Sequence, residues 1–182
     1  MEIKPLKLPG TYEILLQPHR DERGHFLRAY DVDIFRNAGL VTAWVQDNEA
    51  YSSQKGVIRG LHFQAPPHAE TKFVRVALGK VFDVFVDLRR GSESYGQWDA
   101  LELSSDSQKA LYLPKGFAHG YCTLSEQSII LYKVDSRYVA KAEGGVRWND
   151  PDLAIPWPIQ HPIISTKDAA WGPLRHFVTP FE

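Results

Sequence analysis

The chain has 182 residues, 43% of them apolar and including 9 Phe, 8 Tyr and 5 Trp, which is enough for one domain spanning residues 1–182 around a sizeable core. A formal net charge of -1 excludes a general attraction to nucleic acid or anionic lipid, so any basic function must come from a local cluster such as Arg23, Arg28, Arg59 and Lys72. Met1-Glu2-Ile3-Lys4-Pro5 lacks a signal-peptide apolar core, and no run approaches the roughly 20 apolar residues of a membrane helix, so a cytoplasmic protein is expected.

From the N-terminus, Tyr12, Ile14 and Leu15 mark a first short strand. Val32 to Ala38 has helical periodicity and stops at Gly39. Phe73-Val74-Arg75-Val76 and Val81 to Asp87 have the length and composition of strands, and Gly79-Lys80 between them predicts a hairpin turn. Arg90-Gly91-Ser92 and Ser104-Ser105-Asp106 are further turns, followed by strand-like Ala110-Leu111-Tyr112-Leu113 and Ile129-Ile130-Leu131-Tyr132. The lone Cys122 cannot form an intrachain disulfide, and its neighbours Tyr121 and Thr123 suggest a strand rather than a reactive thiol, as suits a reducing compartment. A last helical turn is expected near Thr166-Lys167-Asp168. Many short strands and only short helices predict an all-β sandwich or jelly-roll barrel whose interior can hold a ligand.

Chemistry concentrates in Gly56-Val57-Ile58-Arg59-Gly60-Leu61-His62-Phe63-Gln64. A histidine between Leu61 and Phe63 is ordinarily a buried core residue. Regular alternation would put Arg59 and Leu61 on one face and Gly60 and His62 on the other, with Gly60 leaving open space beside the imidazole for a substrate. Pro114-Lys115-Gly116-Phe117-Ala118-His119-Gly120 reads as a rigid turn leading into a second histidine, a pattern found in cupin barrels. Metal-binding cupins space two histidines one residue apart before a glutamate, whereas Phe63 and Gln64 follow His62 here. A metal set would need His68, Glu70 and His119, and no metal is expected. Lys72 and Tyr138, taken alone, read as a surface lysine and a rim tyrosine.

Together with Gln46-Asp47-Asn48, Val81 to Arg89 and Val146-Arg147-Trp148-Asn149-Asp150-Pro151, these motifs closely resemble the dTDP-4-dehydrorhamnose 3,5-epimerase family, from about residue 4 to 172. The resemblance implies a metal-free, cofactor-free cupin-type jelly roll, a homodimer, acting on a nucleotide-linked 4-keto-6-deoxyhexose in the formation of dTDP-L-rhamnose or a related deoxysugar. It assigns the base to His62, its carboxylate partner to Asp168, the acid to Tyr138 and the enolate-stabilising cation to Lys72. His119, Arg59, Gln46 and Asn48 would hold sugar and nucleotide diphosphate. Arg23 and Phe26 would lie on an arm reaching the neighbouring subunit's site. The family's acidic residue two positions after Phe26 is Arg28 here, which puts the preferred base or sugar in question. Arg137 also stands where many members have a tyrosine.

The hydrogens at C3 and C5 are both α to the C4 ketone, so acid–base residues can invert both centres through an enolate without a redox cofactor. A C3-only epimerase could share the same residues. A metal-dependent cupin enzyme and a non-catalytic sugar-nucleotide binding module are the more distant alternatives.

Overall fold

The computed structural model describes residues 1–182. In chain order its strands are β1 (Glu2–Pro5), β2 (Tyr12–Leu15), β3 (His19–Asp21), β4 (Gly24–Phe26), β5 (Gln46–Ser52), β6 (Val57–Gln64), β7 (Lys72–Leu78) and β8 (Lys80–Asp87). They continue with β9 (Trp98–Ser104), β10 (Lys109–Leu113), β11 (Phe117–Thr123), β12 (Ser128–Val134), β13 (Glu143–Gly145) and β14 (Ile163–Ile164). The helices are α1 (Val32–Asn37) and α2 (Thr166–Ala169). One sheet has the order β1-β2-β10-β7-β12-β5, and a second has the order β13-β6-β11-β8-β9 with β14 added beside β6. Two facing, largely antiparallel sheets form a jelly roll, one of the two architectures the strand pattern predicts and, as a cupin-type barrel, the one the family resemblance implies.

Alternation along the strands sorts the apolar residues into three layers. Val74, Val76 and Ile130 of the first sheet meet Val81, Phe85 and Phe117 of the second in the central core. Leu61, Val84 and Val86 point out of the second sheet and are covered by Val146, Leu153 and Phe181 from the C-terminal third. Phe35 of α1 caps the outer face of the first sheet, packing edge-on against Phe73 at a centroid separation of 5.1 Å. That helix starts where the Asp31 carboxylate accepts from the backbone N–H groups of Asp33 and Ile34, and it ends before Gly39 at φ +71°.

The expected hairpin at Gly79-Lys80 is not formed. β7 pairs with β10 and β12 whereas β8 pairs with β9 and β11, so Gly79 is the corner at which the chain leaves one sheet for the other. Its φ is +78°, and a Cβ there would lie 2.2 Å from the carbonyl oxygen of Gln127. Glycine at this position serves a close approach, a use that mimics a turn signal in the sequence. Cys122 is fully buried on β11, and burial pushes its thiol up to about 11. No helix is long and apolar enough to cross a membrane.

Candidate active site

The open end of the barrel holds one cavity with two adjoining lobes of about 310 and 340 Å³. His62, Lys72, Tyr132, Tyr138 and Glu143 line both lobes; Gln46 and Asn48 belong to the first, and Arg59, His119 and Lys167 to the second. Strand geometry explains the grouping. His62 and His119 are paired across β6 and β11 in one sheet, while Lys72 and Tyr132 come from β7 and β12 of the other.

Arg59 and His62 share the cavity because β6 is not regular. Against β11, His62 pairs with His119 but Arg59 pairs with Tyr121, so three steps on β6 match two on its neighbour. This bulge resets the phase of alternation and turns both side chains inward, while Leu61 is fully buried on the outer side. Gly60 does not provide substrate space. It is buried at φ +142°, and a Cβ there would lie 2.5 Å from the Cα of Gly120, so glycine is required for two backbones to approach.

Behind His62, Nε2 lies 2.7 Å from Oδ1 of Asp168. The parallel pairing of β14 with β6 lays α2 over His62, and Ser165 caps that helix by accepting from the Asp168 N–H. Asp168 also accepts from the Gly60 N–H at 3.2 Å. Burial disfavours its charge, yet the hydrogen bonds and the attraction of His62 outweigh that and hold the carboxyl below its usual range. A buried carboxylate in this position orients the imidazole and can stabilise the imidazolium formed once the ring has taken up a proton.

The two tyrosines differ. Tyr138 is 59% exposed, and its hydroxyl donates to Oε2 of Glu143 at 2.8 Å. That bond, above all, raises the phenol's pKa. Lys167 donates to the other oxygen of Glu143 at 2.6 Å. Tyr132 is partly buried, with burial raising its pKa, and no protein group is hydrogen-bonded to its hydroxyl. Its ring lies 5.7 Å from the Lys72 ammonium, which is itself paired with Glu70.

Arg23, Phe26 and Arg28 are not brought to this cavity within one chain. Arg23 and Phe26 sit on the β3–β4 hairpin, where Phe26 is 65% exposed and Arg23 pairs with Asp21 at 2.6 Å. Arg28 pairs instead with Asp31 at 3.5 Å. Nor do His68 and Glu70 join His62 and His119 in a metal-holding cluster; Glu70 accepts from Gln64 at 2.9 Å and pairs with Lys72. Sequence reasoning missed Glu143 and Lys167, which reach the site only through the β13–β6 pairing and α2. It also passed over Tyr132, whose inward position follows from strand alternation once β12 is paired.

A jelly-roll barrel with a histidine–carboxylate pair facing tyrosine and lysine across a polar cavity defines an acid–base isomerase of the cupin-type class. The family model described as dTDP-4-dehydrorhamnose 3,5-epimerase matches residues 5–176, and the chain belongs to that family. It is 43% identical to the dTDP-4-dehydrorhamnose 3,5-epimerase of Methanothermobacter thermautotrophicus, over 96% of each chain. The dTDP-4-dehydrorhamnose 3,5-epimerase of Bacillus anthracis with TDP and PPi bound superposes with a TM-score of 0.93 at 42% identity, over 95% of this chain and 99% of that one. A double mutant of ChmJ, a 3'-monoepimerase from Streptomyces bikiniensis in complex with dTDP, gives a TM-score of 0.89 at 29% identity, over 94% and 86%. Its two replaced residues are a histidine and a tyrosine seventy positions apart.

Proposed function

We infer that this protein epimerises C3 and C5 of dTDP-4-dehydro-6-deoxy-D-glucose to give dTDP-4-dehydro-L-rhamnose, with residues 1–182 acting as one epimerase domain. The observation that carries the reading is the 2.7 Å His62–Asp168 pair on one sheet of a cavity whose opposite sheet presents Lys72 and Tyr132. His62 removes the proton α to the C4 ketone, and Asp168 stabilises the resulting imidazolium. Lys72 and His119 offset the negative charge that develops on the C4 oxygen.

The tyrosine role expected of Tyr138 suits Tyr132 better. Tyr132 projects from the sheet opposite His62 with its hydroxyl uncommitted, whereas the Tyr138 hydroxyl already donates to Glu143. Seventy positions separate His62 from Tyr132, the same interval as the histidine and tyrosine replaced in ChmJ. Proton return by Tyr132 to the face opposite the base inverts the centre.

Gln46, Asn48 and Arg59 hold the sugar nucleotide, with guanidinium groups suited to the diphosphate. The exposed hairpin carrying Arg23 and Phe26 completes the neighbouring site in a homodimer, with Arg28 beside it tuning substrate preference. A cytoplasmic location fits a sugar-nucleotide substrate. C3-only epimerisation is the second reading, favoured by the likeness to ChmJ.

Variants test the assignment. His62→Ala should abolish deuterium exchange at both carbons. Tyr132→Phe should retain exchange but form little inverted product, while Tyr138→Phe should still invert. Normal exchange in His62→Ala would overturn the assignment of the base, and normal inversion in Tyr132→Phe that of the acid.

A further inference from the structure

Behind His119 the barrel interior holds polar atoms that the reaction above does not use. Asp83 is fully buried; its Oδ1 lies 2.8 Å from His119 Nε2, and its Oδ2 has no partner. Tyr121, 6% exposed, stands directly across from Asp83 in the β11–β8 pairing, and its hydroxyl is also unpartnered. Ser52, 3% exposed at the end of β5, has an unpartnered hydroxyl as well. Burial pushes the Tyr121 phenol up to about 12, and both Asp83 and Ser52 lie close enough to act on it. Three of the five unpartnered buried side-chain atoms therefore gather at one point.

Leaving buried donors and acceptors unpaired is costly, so such groups converge on a shared partner. A water with two to four polar neighbours is the usual one. We propose that Tyr121 and Ser52, through one buried water shared with Oδ2 of Asp83, are positioning residues for His119. The water donates to the carboxylate, and the two hydroxyls complete its coordination. With this second hydrogen bond the Asp83 carboxylate is held through both oxygens, and its Oδ1 fixes the ring orientation of His119. The other ring nitrogen of His119 is thereby held toward the cavity that His119 lines. Arg59 and His62 from β6, Lys72 from β7, Tyr132 from β12, Glu143 from β13 and Lys167 from α2 line the same lobe as His119. The proposal rests on the reading of this cavity as the epimerase site with His119 touching substrate.

The test is Tyr121→Phe and Ser52→Ala in the full-length protein, each removing one oxygen. Nitrogen-15 NMR at one fixed pH should show the His119 ring-nitrogen signals moving in each variant, because the carboxylate that orients the ring is less firmly held. kcat should fall about three- to tenfold with KM little changed, and the double variant should lose less than the product of the two, because both act on one water. Wild-type His119 ring-nitrogen signals and kcat in either variant would overturn the proposal, even if the melting temperature fell, because a merely structural hydroxyl moves stability alone. If the substrate assignment is wrong, neither wild type nor variants turn the sugar nucleotide over, yet the His119 ring-nitrogen signals still move in the variants.

Discussion

Asp168 and His62 are 106 residues apart in the chain yet meet at 2.7 Å, because β14 runs parallel to β6 and delivers α2 onto the back of the imidazole. The contact fixes the orientation of a histidine on a strand, as the proposed role of base requires. Asp168→Asn keeps the shape but removes the charge that stabilises imidazolium, and offers an amide where a carboxylate accepted. kcat should fall about a hundredfold or more, with the near-ultraviolet circular dichroism unchanged. A loss of less than about fivefold would mean that Asp168 does not assist the base.

The same carboxylate gives a pH-dependent stability. Its folded-state pKa is depressed, so its contribution is fully present above the unfolded carboxylate value and is lost as pH falls through the lower folded value. Thermal melts across the acid range should therefore show a shallower decline for Asp168→Asn than for the wild type. Parallel acid limbs would contradict that linkage.

Gly60→Ala should destabilise the protein by about 2–4 kcal/mol, because the new methyl would meet the Gly120 backbone and φ is +142°. Urea melts measure this. A substitution within about 0.5 kcal/mol of neutral would show that the β6–β11 bulge is not tightly built. Any folded fraction should also lose activity, since Arg59 and His62 share the cavity only through the bulge.

The exposed β3–β4 hairpin makes a prediction about subunits. Arg23→Ala and His62→Ala should each be poorly active alone. Mixed dimers should regain activity, because one of their two sites combines an intact His62 with an intact Arg23 from the other chain. No recovery on mixing and exchange would place the arm's contribution within its own subunit, or remove it altogether.

Much of the barrel was legible in the sequence because alternation and strand-forming residues report local backbone preference. The strand at Val81 to Asp87, the helix ending at Gly39 and the last turn at Asp168 all lie where pattern placed them. Gly79 misled because a corner between sheets and a hairpin turn ask the same conformational freedom of glycine. Arg59 and His62 on one face could not be foreseen, since a bulge depends on the register of a strand sixty residues away. Glu143 and Lys167 carried no local motif; only tertiary pairing brings them to Tyr138. That Tyr132 faces His62 from the opposite sheet required the pairing of β12 with β7 to be known.

The most direct test of double epimerisation is proton NMR of dTDP-4-keto-6-deoxy-D-glucose incubated with the wild-type protein in heavy water. Loss of both the C3 and C5 proton signals, with appearance of the L-rhamno product, is the predicted result. Loss at C3 alone would contradict double epimerisation, and no loss at either carbon would contradict the substrate itself.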